Sequence, residues 1–156
     1  MAREAALQVL FAADHAHPDF DVEAVRGAFD EVCAEFQLPR ATHARALELS
    51  VGVARNRKDI DLAIGRASEH WKVDRLAAVD RAVLRIATFE LLYERETPTE
   101  VVIDEAVEIA RRFAGDKSPA FVNGVLDAVA RSVRGAELDI SPRRPRTRRP
   151  AREPGP

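Results

Sequence analysis

Apolar positions recur at helical spacing along almost the whole chain up to about residue 134, and no useful stretch alternates as a β-strand would. The densest segment covers residues 79–93, which contain no proline or glycine and whose apolar positions nearly encircle a helix. A helix that is apolar on nearly every side is a buried one, so we expect other helices to pack around it. Four charged residues interrupt this segment: Asp80, Arg81, Arg85 and Glu90.

These four charges have two interpretations that the pattern does not separate. They mark either the single solvated edge of the helix or a polar site built on a rigid scaffold. Arg81 and Arg85 are four residues apart and therefore share one face of the helix.

Proline and capping residues divide the first half of the chain into further helices. The first helix is expected over about residues 2–15, and Asp21 can cap the start of the second. Thr42 is the expected N-cap of a third helical stretch, which bends near Asn56 and continues to Trp71.

Two later helix starts have stronger sequence signals. Thr97 and Glu100 have the spacing of a capping box around Pro98, and the helix that follows is predicted to reach Phe113 on its core stripe. Ser118 and the proline after it repeat the cap-and-proline signal. Helices joined by such short connections pack as neighbours, so we predict an all-α fold of about seven helices.

Charge is distributed unevenly along the chain. Residues 141–156 hold six arginines, five prolines and one glutamate, a balance of +5, whereas residues 1–140 carry 18 Lys and Arg against 25 Asp and Glu, a balance of −7. The basic segment has too few apolar residues to bury a core. We therefore predict one helical domain over residues 1–134 and a disordered Arg/Pro-rich tail over residues 135–156.

The sequence lacks the motifs of common enzymes and metal proteins. It has no Walker-type phosphate loop and no His-Glu-x-x-His zinc motif. Cys33 is the only cysteine, and it lies beside the apolar face that ends at Phe36, where we expect a buried thiol. No apolar run is long enough to span a membrane. Metal-ligand spacing is missing among His15, His17, His43 and His70, so we expect no metal site. We also expect a cytoplasmic protein that is not an enzyme and needs no cofactor.

The segment over residues 118–131 is the most informative for binding. Asn123-Gly124 normally signals a turn, yet it falls inside a strong helical pattern, where glycine costs about 1 kcal/mol relative to alanine. Close approach of another helix or of a ligand at Gly124 would offset that cost. The free backbone N–H groups after Ser118 form a natural anion site, and Phe121 beside them is either a core residue or a base-stacking ring.

A specific set of residues recurs in order along the chain. It consists of Ala2-Arg3-Glu4, Gln8, Leu10, Phe11, Val79-Asp80-Arg81, Leu84-Arg85-Ile86-Ala87, Glu90-Leu91, Pro98, Ile103-Asp104-Glu105-Ala106, Ser118-Pro119 and Phe121-Val122-Asn123-Gly124-Val125-Leu126. With this set the chain resembles the NusB family of bacterial transcription antitermination factors over about residues 2–133.

The resemblance implies an all-helical fold of two packed three-helix groups and a function in transcription. Family members bind boxA-type single-stranded RNA together with the small-subunit ribosomal protein NusE, notably during ribosomal RNA transcription. The implied wider assembly is the RNA polymerase elongation complex with other Nus factors, and a homodimer over the RNA surface stays open.

The resemblance also implies an RNA-binding surface. Matched position by position, that surface consists of Arg3, Gln8, Phe11, Asp80, Arg81, Arg85, Phe121, Asn123 and Gly124. Family members usually place several arginines ahead of the Ala-Arg-Glu match, where this sequence has only Met1. We expect the Arg-rich tail to replace part of that positive charge.

Two alternatives to an RNA-binding antitermination factor stay open. One is the NusB-like domain related to ribosomal RNA methyltransferases, which works with a Rossmann-type domain and its glycine-rich cofactor loop; these 156 residues contain no such loop. The other is a protein-interaction module with weakened RNA binding.

Overall fold

Seven α-helices and one short 3-10 turn form the described part of the chain, which in this computed structural model comprises residues 1–69 and 71–140. The 3-10 turn covers Val73–Arg75. The helices are α1 (Ala2–Ala16), α2 (Val22–Glu35), α3 (Arg40–Arg55), α4 (Arg57–Ala67), α5 (Ala78–Tyr93), α6 (Thr99–Phe113) and α7 (Ser118–Ile140).

The all-α prediction is confirmed, since these residues contain no strand. None of the helices described is long and apolar enough to cross a membrane. His70 and residues 141–156, the basic part of the tail predicted over residues 135–156, lie outside the described residues. Residues 135–140 of that predicted tail continue α7.

The helices form two groups of three that meet at α5. Helices α1, α2 and α3 pack on one another, as do α5, α6 and α7, and α4 packs against both α5 and α7. Helix α5 also contacts α1 and α3, so it belongs to the interface between the groups. Its apolar residues are buried on nearly every side, as the sequence pattern predicts.

One glycine allows α3 and α5 to approach closely. A Cβ atom built on Gly52 would lie 2.3 Å from the nearest ring carbon of Phe89, which is itself buried. Real Cβ atoms do not make contacts this short, so the packing of α3 on α5 requires glycine at this position. The sequence pattern did not single out Gly52.

Side-chain caps and turns explain several helix ends. Asp21 caps α2 as predicted, since its Oδ1 accepts a hydrogen bond of 2.8 Å from a backbone N–H of the first turn. The predicted bend at Asn56 is present as the break between α3 and α4. Helix α4 ends at Ala67 rather than near Trp71, because Ser68 and Trp71 close a turn through backbone and side-chain hydrogen bonds.

Three predicted N-caps are wrong. Helix α3 begins after Pro39, two residues before Thr42, and α6 begins after Pro98 rather than after Thr97. Both prolines have φ near the value that their ring fixes and an extended ψ, which suits the residue that precedes a helix. Neither start has a side-chain cap, and Ser118 is the first residue of α7 rather than its cap.

Three side chains predicted to be apolar and buried are not fully covered. Phe36 follows the last residue of α2 and is 50% exposed, and Phe113 at the end of α6 is 45% exposed. The Phe113 ring instead contacts the guanidinium of Arg112, 5.2 Å from the ring centroid. Cys33 is half-buried, and its partial burial, with a contribution from Asp30, raises the pKa of its thiol. All three lie at or near the C-terminal ends of their helices, where neighbouring helices cover less surface.

Candidate nucleic-acid interface

The outer face of α1 presents an exposed row of polar and aromatic side chains. Gln8, Phe11 and His15 follow one another at helical spacing and are exposed, while apolar residues between them, including Val9 and Leu10, are buried. The rings of Phe11 and His15 are parallel within 3°, with their centroids 6.4 Å apart. We call these three residues the α1 row.

Arg3, at the start of α1, is held by a buried carboxylate of α5. Its Nε and Nη2 each donate a 2.8 Å hydrogen bond to Glu90, which is only 1% exposed. This hydrogen-bonded pair raises the pKa of Arg3 above its ordinary value. Arg45 of α3 lies 3.9 Å from the same carboxylate, so Glu90 links α1, α3 and α5.

Arg81 fastens α5 to the other end of α1. Its Nε and Nη2 donate to Oδ2 of Asp14 at 2.8 and 2.6 Å, and its Nη1 donates to the carbonyl oxygen of Leu76 at 2.8 Å. The guanidinium therefore binds both α1 and the connection that precedes α5. Most of its donors are used inside the protein, although the side chain keeps 14% of its surface exposed.

Arg85 is buried in the same charge network. It donates two hydrogen bonds to Asp61 of α4, at 2.8 and 2.9 Å, and its Nη1 lies 3.6 Å from Asp14. Its guanidinium also lies 5.4 Å from the centroid of the buried Phe20 ring. At 4% exposure, Arg85 binds neighbouring helices and presents almost no surface to a ligand.

The interpretation of the α5 charges as a solvated edge is wrong. Asp80, Arg85 and Glu90 are 9%, 4% and 1% exposed, and Arg81 is half-buried. Ion pairs satisfy Arg81, Arg85 and Glu90, as buried charges require. The exception is Asp80, whose Oδ1 is buried without a hydrogen-bond partner among the described residues.

The start of α7 is more open than predicted. Asn123 and Gly124 are exposed, and a Cβ atom on Gly124 would meet nothing within 4 Å. Close approach of another helix is therefore the wrong explanation for Gly124 within the described chain, and approach of a ligand is the alternative that is left. Phe121 is half-buried and packs on the core.

The predicted anion site at this helix start is weaker than expected. The N–H of Ser118 already donates to Gly115 and that of Phe121 to Lys117, while Pro119 has no N–H. Few amides of the first turn are therefore free for a ligand. No three His, Cys, Asp or Glu side chains are grouped for a metal ion among the residues described.

The nine predicted RNA-facing residues thus divide by exposure. Four of them are exposed: Gln8, Phe11, Asn123 and Gly124. Three are half-buried: Arg3, Arg81 and Phe121. The other two, Asp80 and Arg85, are buried. Arg112, in the last turn of α6, forms an ion pair with Glu4 of α1. This pair places the end of α6, and the start of the connection to α7, beside α1.

Comparison with known proteins decides the family. A family model described as the NusB family matches residues 1–131. The chain belongs to the NusB family. The transcription antitermination protein NusB of Desulfotalea psychrophila is 45% identical over 129 residues, which are 82% of this chain and 92% of that protein.

Two solved structures of the NusB family share the fold. NusB of T. maritima superposes with a TM-score of 0.71 at 35% identity, covering 89% of this chain and 95% of that one. A complex of the antitermination factors NusB and NusE with double-stranded RNA contains a chain that matches with a TM-score of 0.72 at 27% identity, covering 84% of this chain and 94% of that one.

Sequence reasoning missed the carboxylates that hold the arginines. Asp14 lies seven residues after Leu7, on the apolar stripe of α1, and is 9% exposed. A carboxylate on such a stripe signals a buried cation partner, and the sequence carries this signal. His15 was also passed over, because a histidine near a helix end is usually a solvated residue.

Proposed function

We propose that this protein is a transcription antitermination factor that binds boxA-type RNA together with the ribosomal protein NusE, within an elongation complex that contains other Nus factors. The observation that carries this proposal is the exposed α1 row, Gln8, Phe11 and His15, in a chain that matches the NusB family over residues 1–131. The solved complex of NusB and NusE with RNA supports the choice of both partners. The protein would act in the cytoplasm and without catalysis.

Neutral groups would read the RNA. Phe11, with 41% of its surface exposed, offers a face for an unstacked base, and such stacking contributes about 1–3 kcal/mol per base. The amides of Gln8 and Asn123 each carry donors and an acceptor that can hydrogen-bond base edges. Gly124 leaves space beside Asn123 for a base or the RNA backbone to approach.

The arginines would act mainly by positioning this surface. Arg3 holds the start of α1 through Glu90, and Arg81 holds its end through Asp14. Because rigid elements position recognition groups better than mobile ones, these two ion pairs keep the α1 row in place for RNA. Each phosphate that a protein neutralises adds about one unit to the salt slope of binding, and paired arginines add less.

The proposal is tested by fluorescence anisotropy with labelled boxA RNA, single-stranded and duplex, with and without NusE. Phe11→Ala should weaken binding at least about fivefold, the lower end of the loss for one stacked base. Phe36→Ala is the matched control, because Phe36 is also an exposed phenylalanine but lies at the end of α2.

Two results would contradict the proposal. One is equal affinity of the wild-type protein for boxA RNA and a scrambled RNA in the presence of NusE. The other is a Phe11→Ala variant that binds as tightly as Phe36→Ala. If NusE binding is retained in either case, the second candidate is favoured, a protein-interaction module with weakened RNA binding. The internal ion pairs of Arg3, Arg81 and Arg85 also support this candidate, because they leave these arginines less able to bind phosphate.

A further inference from the structure

Phe11 and His15 form a pair of rings on the outer face of α1. The residues are four apart, so they stand one helical turn from each other on the same face. Their planes agree within 3° and their centroids are 6.4 Å apart. Both side chains are exposed, so a ligand could reach either ring.

We propose that these two rings form a slot that binds a single RNA base. A base that stacks on both rings needs a gap of about 6.8 Å, twice the step of about 3.4 Å between stacked bases. The ring centroids are 6.4 Å apart, so the two exposed side chains would open slightly to admit one planar base. This assigns His15 a role in binding that neither the family pattern nor the sequence motifs gave it. The inference rests on the proposed RNA-binding function for its ligand.

The surroundings hold the slot in shape. Asp14, directly before His15, is bound to Arg81 of α5, which fixes the end of α1. Arg3 fixes the other end of the helix through Glu90. The two rings are therefore carried by a helix that is anchored near both ends, so its backbone needs little ordering when a base enters.

The chemistry of the slot favours a base over a phosphate. The negative charge of Asp14, the neighbour of His15 in the chain, is neutralised by Arg81 at 2.6 Å and therefore does not strongly repel RNA. Gln8, one turn before Phe11, is exposed and can hydrogen-bond the edge of a base or of its neighbour. Two aromatic faces beside one amide are the groups that recognise an unstacked base in a single strand.

The test uses the full chain with NusE and boxA RNA in which a fluorescent base analogue, quenched on stacking, replaces each base in turn. In the wild-type complex one position should be quenched more strongly than the rest. His15→Ala and Phe11→Ala should each relieve quenching at that same position and weaken binding about fivefold. His15→Phe, which keeps a ring at the site, should retain both signals.

His17→Ala is the matched control, because His17 is exposed but follows the end of α1. The slot is refuted if His15→Ala behaves like His17→Ala while Phe11→Ala weakens binding, and in that case the proposed function stands. It is also refuted if the two rings affect quenching at two different positions, since each ring would then stack its own base. Failure of the wild-type protein to bind the RNA would overturn both proposals.

Discussion

Removing the Arg85 guanidinium should destabilise the fold more than it changes RNA binding. In Arg85→Ala, Asp61 loses two hydrogen bonds of 2.8 and 2.9 Å, and the Phe20 ring loses a guanidinium neighbour. Breaking a buried ion pair costs about 3–5 kcal/mol, and we expect the lower end because the Asp61 side chain is 22% exposed. A loss of about 3 kcal/mol is a large part of the 5–15 kcal/mol that stabilises a typical domain.

Urea unfolding followed by circular dichroism measures this loss, with the m-value checked for constancy. For a domain of this size each kcal/mol lowers Tm by about 2–4 °C, so the melting temperature should fall by about 6–12 °C. Arg111→Ala is the control, because Arg111 makes an exposed pair with Glu108 on α6, and such pairs contribute about 0–1 kcal/mol. The reasoning is refuted if Arg85→Ala costs less than about 1 kcal/mol, or if the folded variant loses a full unit of salt slope in RNA binding.

Two further predictions concern a pair of glycines and the basic tail. Gly52→Ala should lose about 1–3 kcal/mol of stability in thermal unfolding, because its Cβ would overlap Phe89. Gly124→Ala should be neutral or more stable by up to about 1 kcal/mol, because its Cβ would meet no neighbour. Equal effects of the two substitutions would contradict the packing argument. Deleting residues 141–156 should weaken boxA binding several-fold at low salt and little at high salt, because six arginines act mainly through long-range charge. Unchanged affinity at both salt concentrations would remove the tail from RNA binding.

The sequence pattern predicted the helices well because their periodicity is local. Helix α5 was recognised from its own residues, and Asp21 was recognised as a cap because it bonds within its own first turn. Predicted starts failed where two local signals competed, as at Thr97 and Pro98. There the fixed φ of proline decided the first helical residue, and the hydroxyl of the threonine makes no cap.

The candidate site was harder to predict because its partners are distant in the chain. Arg81 bonds to Asp14, which lies 67 residues earlier, and Arg3 bonds to Glu90, 87 residues later. Helical spacing correctly put Arg81 and Arg85 on one face, but it carries no information about which helix covers that face. The same limit explains why the sequence pattern draws attention to Gly124 but not to Gly52, the glycine that the close packing of α3 on α5 requires.

The placement of charge has a consequence for how this chain would hold RNA. Residues 1–140 carry a balance of −7, and the three arginines of the predicted surface each bind an internal carboxylate. The exposed members of that surface, Gln8, Phe11 and Asn123, are neutral. Stacking and base-edge hydrogen bonds specify sequence but attract RNA only at short range, whereas phosphate neutralisation supplies affinity without specificity. In the proposed function, the helical body therefore recognises the bases, and long-range attraction comes from the basic residues 141–156 or from the ribosomal protein partner.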